Sequence, residues 1–156
     1  MLKDSLRIAT GSQDGLMHIF QTVDPAATPI KFCSPNKDPI NKLAWLNDNL
    51  IVVGTKTGKL HVWDSRLVQE APVNSISLSD TNTDSIMDIE VHRISADRIS
   101  VFVTCGRKIF LLSSNLIILS QFEMPMPLSF KEEGGASLHP DGSKFIAVTF
   151  TSFQLN

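Results

Sequence analysis

Two segments of the chain repeat one another at a fixed distance. The sequence LIVVGTKTGKLHVWD at 50–64 gives a strand, a turn bracketed by glycines and a second strand, and IATGSQDGLMHIFQT at 8–22 follows the same order. The interval from Gly11 to Gly54 is 43 residues, and the aromatic residues near the ends of the two segments are also 43 residues apart. A period of this size is typical of a β-unit that recurs along a chain, so we look for function in surfaces that repeats present.

The rest of the chain has the same β character. Short apolar runs are broken roughly every 8 to 12 residues by Gly, Pro, Asn, Asp and Ser, and no segment has convincing helical periodicity. This pattern predicts an all-β fold. The candidate strands are Leu6–Thr10, Leu16–Gln21, Ile30–Cys33, Lys42–Leu46, Leu50–Gly54, Lys59–Asp64, Val73–Leu78, Ile86–His92, Arg98–Thr104, Lys108–Ser113, Ile118–Glu123, Ala136–His139 and Lys144–Thr149.

The unit around the second segment is the most legible. A strand at 42–46 meets the turn NDN, and strands at 50–54 and 59–64 flank the glycine-bracketed turn. Asn and Gly tolerate the positive φ of tight hairpins, so this order predicts an up-and-down meander. The run from Leu50 to Val53 has no polar alternation. It predicts a strand covered on both faces, as the inner strands of stacked propeller blades are.

Two later segments, at 87–103 and 136–148, repeat half of the unit with drift. The spacing of their second strands stays near the ~40–45 residues expected for a four-stranded blade. The chain then begins inside one unit and stops soon after the second strand of another. We therefore expect about half a blade, two full blades and another half. The expected division is 1–35, 36–79, 80–124 and 125–156.

Charge and cysteine content exclude several classes of protein. The 14 Lys and Arg against 16 Asp and Glu leave a net charge of -2, which provides no broad cationic field for direct nucleic-acid binding. Apolar runs of four or five residues are far shorter than the roughly 20 of a bilayer-spanning helix, and the N-terminus has no apolar signal region. Cys33 and Cys105 lie far apart, which predicts buried thiols in a reducing compartment and a cytoplasmic or nucleocytoplasmic protein.

The residues that carry chemistry are scattered. Asp80, Asp84 and Asp88 recur at intervals of four but lack the glycine and terminal glutamate of a calcium loop. A solvated loop with Asp84 as a turn residue is preferred. Cys105 has no activating neighbour in the sequence. The four histidines stand singly, without a second ligand at metal-binding spacing. They are His18, His61, His92 and His139. We therefore expect no catalytic residue, no metal and no cofactor.

Basic residues at two predicted hairpin turns give a weaker indication. Lys56 and Lys59 flank one turn, and Arg107 and Lys108 lie at another. Loops on a rigid scaffold often carry function, so these side chains could contact an acidic partner. Ordinary solubilising charge is the preferred interpretation.

Three segments resemble the hairpins of WD-repeat proteins: Gly11 to Phe20, His61 to Asp64 and Ser137 to Val148. The resemblance covers nearly the whole chain and implies a partial WD-repeat β-propeller with antiparallel four-stranded blades. It also implies a structural motif in which Trp, Ser or Thr, His and Asp lock each blade through hydrogen bonds. The residues that match the repeat are Ser12, Asp14, Gly15, Thr55, Gly58, Trp63 and Asp64.

This sequence departs from the motif in both hairpins. Phe20 stands where the first blade would have Trp, and Thr57 replaces the turn Asp of the second blade. The loop before the second blade reads SPNKD from Ser34 to Asp38 and has no histidine. We expect the hydrogen-bonded network to be partial in each blade, so that hydrophobic stacking between blades supplies most of the cohesion.

Within the family, the order of the segments is similar to that of a seven-bladed scaffold of the SMN complex. That scaffold takes part in spliceosomal ribonucleoprotein assembly and dampens TGF-β receptor signalling. The resemblance therefore implies a non-catalytic protein-interaction scaffold, cytoplasmic and also nuclear, with SMN-complex subunits or receptor-signalling proteins as partners. The alternative within the fold is the WD-repeat subunit of a translation initiation factor complex. A propeller enzyme is disfavoured, because it would have His, Asp, Glu or Tyr at equivalent positions of its inner strands. The predicted inner-strand residues here are Ile, Val, Ala and Ser, and the chain has no Tyr.

About three blades cannot close a ring. Propellers typically close with about 4–8 blades, and fewer leave unpaired strand edges and apolar sheet faces. We therefore expect a truncated isoform, a partial gene model or a fragment of a longer propeller, and an isolated polypeptide that is poorly soluble or incompletely folded.

Overall fold

The computed structural model consists of β-strands joined by short turns, and it describes residues 7–24, 26–67, 70–95, 98–124, 136–138 and 145–147. A 3-10 turn at Pro35–Lys37 is the only helical element in these ranges. The strands are β1 (Arg7–Gly11), β2 (Leu16–Gln21), β3 (Ile30–Cys33), β4 (Ile40–Trp45), β5 (Leu50–Thr55), β6 (Lys59–Asp64), β7 (Asn74–Ser77), β8 (Ile86–Ser95), β9 (Arg98–Cys105), β10 (Lys108–Ser113), β11 (Ile118–Glu123), β12 (Ala136–Leu138) and β13 (Phe145–Ala147).

The strands form three antiparallel sheets in which neighbours in sequence are also neighbours in space. The first sheet is β1-β2-β3, the second is β4-β5-β6-β7, and the third is β8-β9-β10-β11. β12 and β13 make a separate two-stranded hairpin. The predicted all-β fold with four-stranded antiparallel units is confirmed, and the first sheet has three described strands. The exact division of the chain into units stays a prediction.

Glycines at two hairpin turns are required by both backbone angle and space. Gly15 and Gly58 have φ angles of 78° and 77°, a left-handed conformation that glycine adopts without a steric penalty. Each also lies against the linker that follows its sheet. A Cβ on Gly15 would come within 2.6 Å of Ser34 Oγ, and one on Gly58 would come within 2.4 Å of Ser79 Cβ.

Two apolar layers hold the sheets together, and β5 contributes to both. Ile51 and Val53 pack in the layer shared with the first sheet, whereas Val52 packs in the layer shared with the third. All three side chains are fully buried, and each such burial stabilises the fold by roughly 1.5–3 kcal/mol. The predicted covering of this strand on both faces is confirmed for these residues. The layer between the first and second sheets consists of Met17, Ile19, Phe32, Ile40, Ile51, Val53 and Trp63.

The sheets approach each other closely at a repeated glycine. A Cβ on Gly11 would lie 2.4 Å from Cγ2 of Ile40, and a Cβ on Gly54 would lie 2.4 Å from Cγ2 of Ile86. Each isoleucine is the first residue of the next sheet. The 43-residue interval between Gly11 and Gly54 therefore separates two equivalent contacts. At each contact the next sheet packs against a glycine of the preceding sheet.

The two ends of the stacked sheets are called the upper and the lower rim. The upper rim carries the β1–β2, β5–β6 and β9–β10 turns and the linkers 34–39 and 78–85. Backbone hydrogen bonds join the turns to the linkers and to the first strand that follows. They run from the Ile40 amide to Ser12 O (3.0 Å), from the Lys56 amide to Pro39 O (2.9 Å) and from the Gly106 amide to Ser85 O (3.4 Å).

At the lower rim, two arginines reach the same turn. Arg7 of the first sheet donates a hydrogen bond to the carbonyl oxygen of Asp48, and its guanidinium lies 5.2 Å from the ring centroid of Trp45. Arg93 of the third sheet donates to the carbonyl oxygens of Leu46 at 3.1 Å and Trp45 at 3.3 Å. The turn after β4 is thereby held from both neighbouring sheets.

Candidate interaction surface

The predicted motif residues of the first hairpin form a self-contained turn. Oδ1 of Asp14 accepts a hydrogen bond from the Leu16 amide at 3.1 Å, and the Gly15 amide donates to the carbonyl oxygen of Ser12 at 3.2 Å. The bond from Leu16, followed by one from the Ser12 side chain, lowers the pKa of Asp14. Ser12 and Asp14 are exposed at the upper rim, so they shape the turn and remain accessible from outside.

The second hairpin has a different set of hydrogen bonds from the one the motif implies. Thr57, which replaces the turn Asp, donates its hydroxyl hydrogen to Oδ2 of Asp38 in the linker where the motif would have a histidine. Thr55 Oγ1 lies 3.4 Å from Thr57 Oγ1 and accepts a bond from the Lys59 amide at 3.2 Å. In the motif the carboxylate is on the turn and the hydrogen-bond donor is in the linker. Here the carboxylate is in the linker and the donor is on the turn, so the two segments are still linked.

Trp63 and Asp64 serve the packing of the second sheet. The Trp63 side chain is 2 % exposed, and its ring centroid lies 5.1 Å from that of Phe32 in the first sheet. Asp64 accepts hydrogen bonds from Arg66 Nε at 3.0 Å and Nη2 at 2.6 Å. These bonds lower the pKa of Asp64 to about 2. Neither motif residue offers a free side chain to a partner.

A buried polar pair, His61 and Asp38, belongs to the same part of the second sheet. His61 Nδ1 lies 2.8 Å from Ser75 Oγ. His61 Nε2 and Asp38 Oδ1 have no hydrogen-bond partner among the described residues. Burial lowers the pKa of His61, while the charge of Asp38 acts in the opposite direction and that of Lys59 adds to the lowering. The imidazole is therefore neutral at neutral pH.

The linker before the third sheet uses its carboxylates locally. Asp84 Oδ2 lies 3.2 Å from Ser79 Oγ, and the Asp84 amide donates to that hydroxyl oxygen at 3.3 Å, so Asp84 has the predicted turn role. Asp80 pairs with Lys108 at 3.1 Å. Burial raises the pKa of Cys105 to about 12, which keeps the thiol protonated and unreactive.

Metal-ligating side chains remain apart. Among the residues that the structure describes, no three His, Cys, Asp or Glu side chains are close enough to hold a metal ion. His18, His61 and His92 lie in three different strands, and His139 lies outside the described residues. Both cysteines are free thiols. The described part also contains no helix long and apolar enough to cross a membrane.

A cavity of about 330 Å³ opens between β1 and β4. Among the residues that line it, Lys42 is the one with an ionisable side chain, and Thr10 and Asn41 supply the other polar groups. Such a lining provides no acid–base pair.

Three stacked antiparallel sheets define a segment of a WD-repeat β-propeller. The second and third have four strands and pack against a glycine of the preceding sheet, and all three have a tight hairpin on the same rim. The chain belongs to the family of the LRRK2 beta propeller, whose model matches residues 4–138. The prediction of a partial WD-repeat chain is confirmed.

The chain is similar to vertebrate proteins named serine-threonine kinase receptor-associated protein. It is 26 % identical to that of Mus musculus and 25 % identical to that of Homo sapiens, over 154 residues in each case. Each alignment covers 98 % of this chain and 39 % of the relative. The chain thus spans about two fifths of the length of the curated relatives it matches.

Solved structures of WD40 propellers have the same fold. The WD40 beta propeller domain of Doa1 matches with a TM-score of 0.69 and 13 % identity, over 93 % of this chain and 44 % of that one. A chain of the mitotic checkpoint complex matches with a TM-score of 0.70 and 12 % identity, over 92 % and 41 %. At these identities the likeness concerns the fold alone.

Proposed function

We propose that this chain is part of a non-catalytic scaffold that holds several protein partners at once. The observation that carries the proposal is the use of buried polar groups within the fold. The carboxylates of Asp38 and Asp64 bind the hydroxyl of Thr57 and the guanidinium of Arg66, and the Cys105 thiol is protonated. The loops of the rims are meanwhile displayed on a rigid stack of sheets, which suits recognition of other proteins.

The similarity to the receptor-associated proteins supports a choice of partners. We propose SMN-complex subunits, in spliceosomal ribonucleoprotein assembly and mRNA splicing, and proteins of TGF-β receptor signalling, contacted in the cytoplasm and in the nucleus. The alternative is a place in a translation initiation factor complex, whose WD-repeat subunit has similar blades.

Affinity purification from native cells tests these partners. The tagged chain should recover SMN-complex proteins or TGF-β receptor-signalling proteins, whereas initiation-factor subunits would support the alternative, and recovery of none of these would contradict both. The matched control is Gly54→Ile, because a side chain at this position collides with Ile86 and should unseat the third sheet. Partners that need the stacked sheets should be lost in the control.

A further inference from the structure

We propose that the upper rim of the second sheet is a docking site for an acidic peptide segment of a partner protein. The proposal rests on the scaffold function proposed above and adds the place of contact and the chemistry of the partner. The site consists of Lys37, Lys42, Lys56 and Lys59, called here the lysine cluster. The first three are exposed and Lys59 is half-buried.

Two of these lysines stand on segments that are bonded to each other. Lys37 precedes Asp38, whose carboxylate accepts the hydroxyl of Thr57, and Thr57 follows Lys56. The Lys56 amide also donates to the carbonyl oxygen of Pro39 at 2.9 Å. The linker and the turn that carry these two lysines are thereby fixed against each other.

The other two lysines lie in strands of the second sheet. Lys42 lies opposite Gly54 in the β4–β5 ladder, beside the cavity between β1 and β4. Lys59 begins β6, and its amide donates to Thr55 Oγ1 at 3.2 Å. A partner would therefore meet a preformed set of charges, which reduces the entropy lost on binding.

The lysine cluster differs from the cations of the lower rim, which are used within the fold. Arg7 and Arg93 bind the turn after β4, and Arg66 pairs with Asp64 at 2.6 Å. None of the four lysines forms an ion pair with a described residue. Their positive charge is therefore available to another molecule.

Carboxylates close to the lysine cluster accept hydrogen bonds from neighbouring groups. The exposed Asp14, next to the Gly15 that lies against the Lys37 backbone, accepts the Leu16 amide at 3.1 Å. Asp38 is buried and accepts the hydroxyl of Thr57. In the neighbouring linker, Asp80 pairs with Lys108 and Asp84 lies against Ser79. At this end of the sheets the cations still outnumber the carboxylates, so the rim is slightly cationic in a chain whose net charge is -2. The cations are Lys37, Lys42, Lys56, Lys59, Arg107 and Lys108, and the carboxylates are Asp14, Asp38, Asp80, Asp84 and Asp88. An extended segment with several carboxylates is the complementary ligand.

The backbone at Lys37 supplies an independent observation. Lys37 has a φ of 55° and follows Asn36 with a φ of 58°. Turns with two successive left-handed residues usually have glycine at the second one. Residues held in such conformations cluster at functional sites. Lysine therefore occupies a position where glycine would fit the backbone better.

Fluorescence anisotropy with the full chain tests the site. The probe is a labelled peptide of about ten residues that alternates Glu and Ser, with a Gln and Ser peptide as control. The chain should bind the Glu peptide in preference, and salt should weaken that binding. The double variant Lys37→Gln, Lys56→Gln should lower the affinity about tenfold. The charge-matched control Lys31→Gln, Arg98→Gln, on exposed residues of β3 and β9, should leave the affinity within about twofold.

Equal losses in the two double variants would overturn the proposal, because net charge alone would then explain binding. Tighter binding of a single-stranded oligo-dT of the same length, or of phosphatidylserine vesicles, would also overturn it. Lys37→Gly separates binding from folding, since it should keep or raise the thermal midpoint and still weaken peptide binding. A Lys37→Gly chain that binds the peptide unchanged would contradict the role of this side chain.

The failure of this site can be told from the failure of the scaffold function. If the lysine double variant still recovers every cellular partner, the docking site is contradicted and the scaffold function stands. If the unchanged chain binds the Glu peptide but recovers no partner, the scaffold function is contradicted.

Discussion

His61 occupies a position that each described sheet fills differently. It lies opposite Val53 in the second sheet, whereas the equivalent positions hold half-exposed His18 in the first sheet and buried Phe110 in the third. A buried neutral imidazole and a phenyl ring can therefore fill the same place between strands. Unlike buried Phe110, buried His61 can take up a proton, and burial opposes that protonation.

Acidification should destabilise the fold through His61. Burial lowers the pKa of His61 in the folded state below its ordinary 6.5, so the unfolded chain takes up the proton first. The difference in proton uptake has no effect on the stability of the fold above about pH 6.5, and it lowers that stability as the pH falls towards the folded-state pKa of His61. His61→Phe should reduce the fall in thermal midpoint between about pH 7.5 and 5.5.

The matched control for this experiment is His18→Phe, because His18 is half-exposed at the equivalent position of the first sheet. That variant should retain the pH dependence of the unsubstituted chain. An unchanged pH dependence in His61→Phe would show that other groups account for the acid sensitivity.

Individual strands followed the sequence pattern where turn residues bracket them. β6 was predicted at its observed bounds, and β5 within one residue, because glycine closes the turn between them. β4 begins at Ile40, two residues before the predicted start. The cause is tertiary, since the Ile40 amide donates to the carbonyl oxygen of Ser12 in the neighbouring sheet. A contact of that kind leaves no trace in local periodicity.

Gly54→Ala should weaken the contact between the second and third sheets. The added Cβ would lie 2.4 Å from Cγ2 of Ile86, so strands must move apart. Overpacking of this kind costs about 1–3 kcal/mol in the free energy of unfolding, measured by denaturant titration. Adding Ile86→Leu, which removes the branch at Cβ, should restore part of the loss.

Gly11→Ala provides an internal comparison for this prediction. Its Cβ would meet Ile40 at the same distance of 2.4 Å, so the two single variants should lose similar stability. A loss below about 0.5 kcal/mol in both would contradict the close seating of the sheets.

The candidate site was less predictable than the strands. Sequence similarity indicated Thr55, Gly58 and Trp63 as repeat positions, and the structure places all three in the second sheet as packing and turn residues. The bond between Thr57 and Asp38 was missed, because the two residues are 19 positions apart and meet only when the linker folds over the turn. The sequence does contain a sign of this bond, because the motif positions are filled in reverse. The linker has the carboxylate of Asp38, and the turn has the hydroxyl of Thr57.

At the scale of the whole molecule, one face of the first sheet carries exposed apolar side chains. Ile8 and Phe20 are cross-strand partners in the first sheet, and their side chains are 53 % and 41 % exposed. The alternating residues Ala9 and Ile19 pack towards the second sheet. Paired exposed apolar side chains on a sheet face favour association with other surfaces.

Ile8→Thr with Phe20→Thr should reduce self-association without unfolding the chain. Threonine retains the β-propensity of the strands while removing apolar surface. Static light scattering should give a smaller mean mass for the variant, at an unfolding free energy changed by less than about 0.5 kcal/mol. Val23→Thr is the control, because Val23 is 61 % exposed in the turn after β2 and off the sheet face. Association equal to that of the unsubstituted chain would show that this face is not responsible.

The linkers that join the sheets differ in length but reach the same end point. Ser34 and Ile40 are six positions apart, whereas Ser79 and Ile86 are seven apart. Both isoleucines nevertheless rest against a glycine of the preceding sheet. An inserted residue is accommodated inside the linker and does not shift the strand that follows. The longer linker accounts for one of the six residues by which the spacing grows, from 43 between His18 and His61 to 49 between His61 and Phe110.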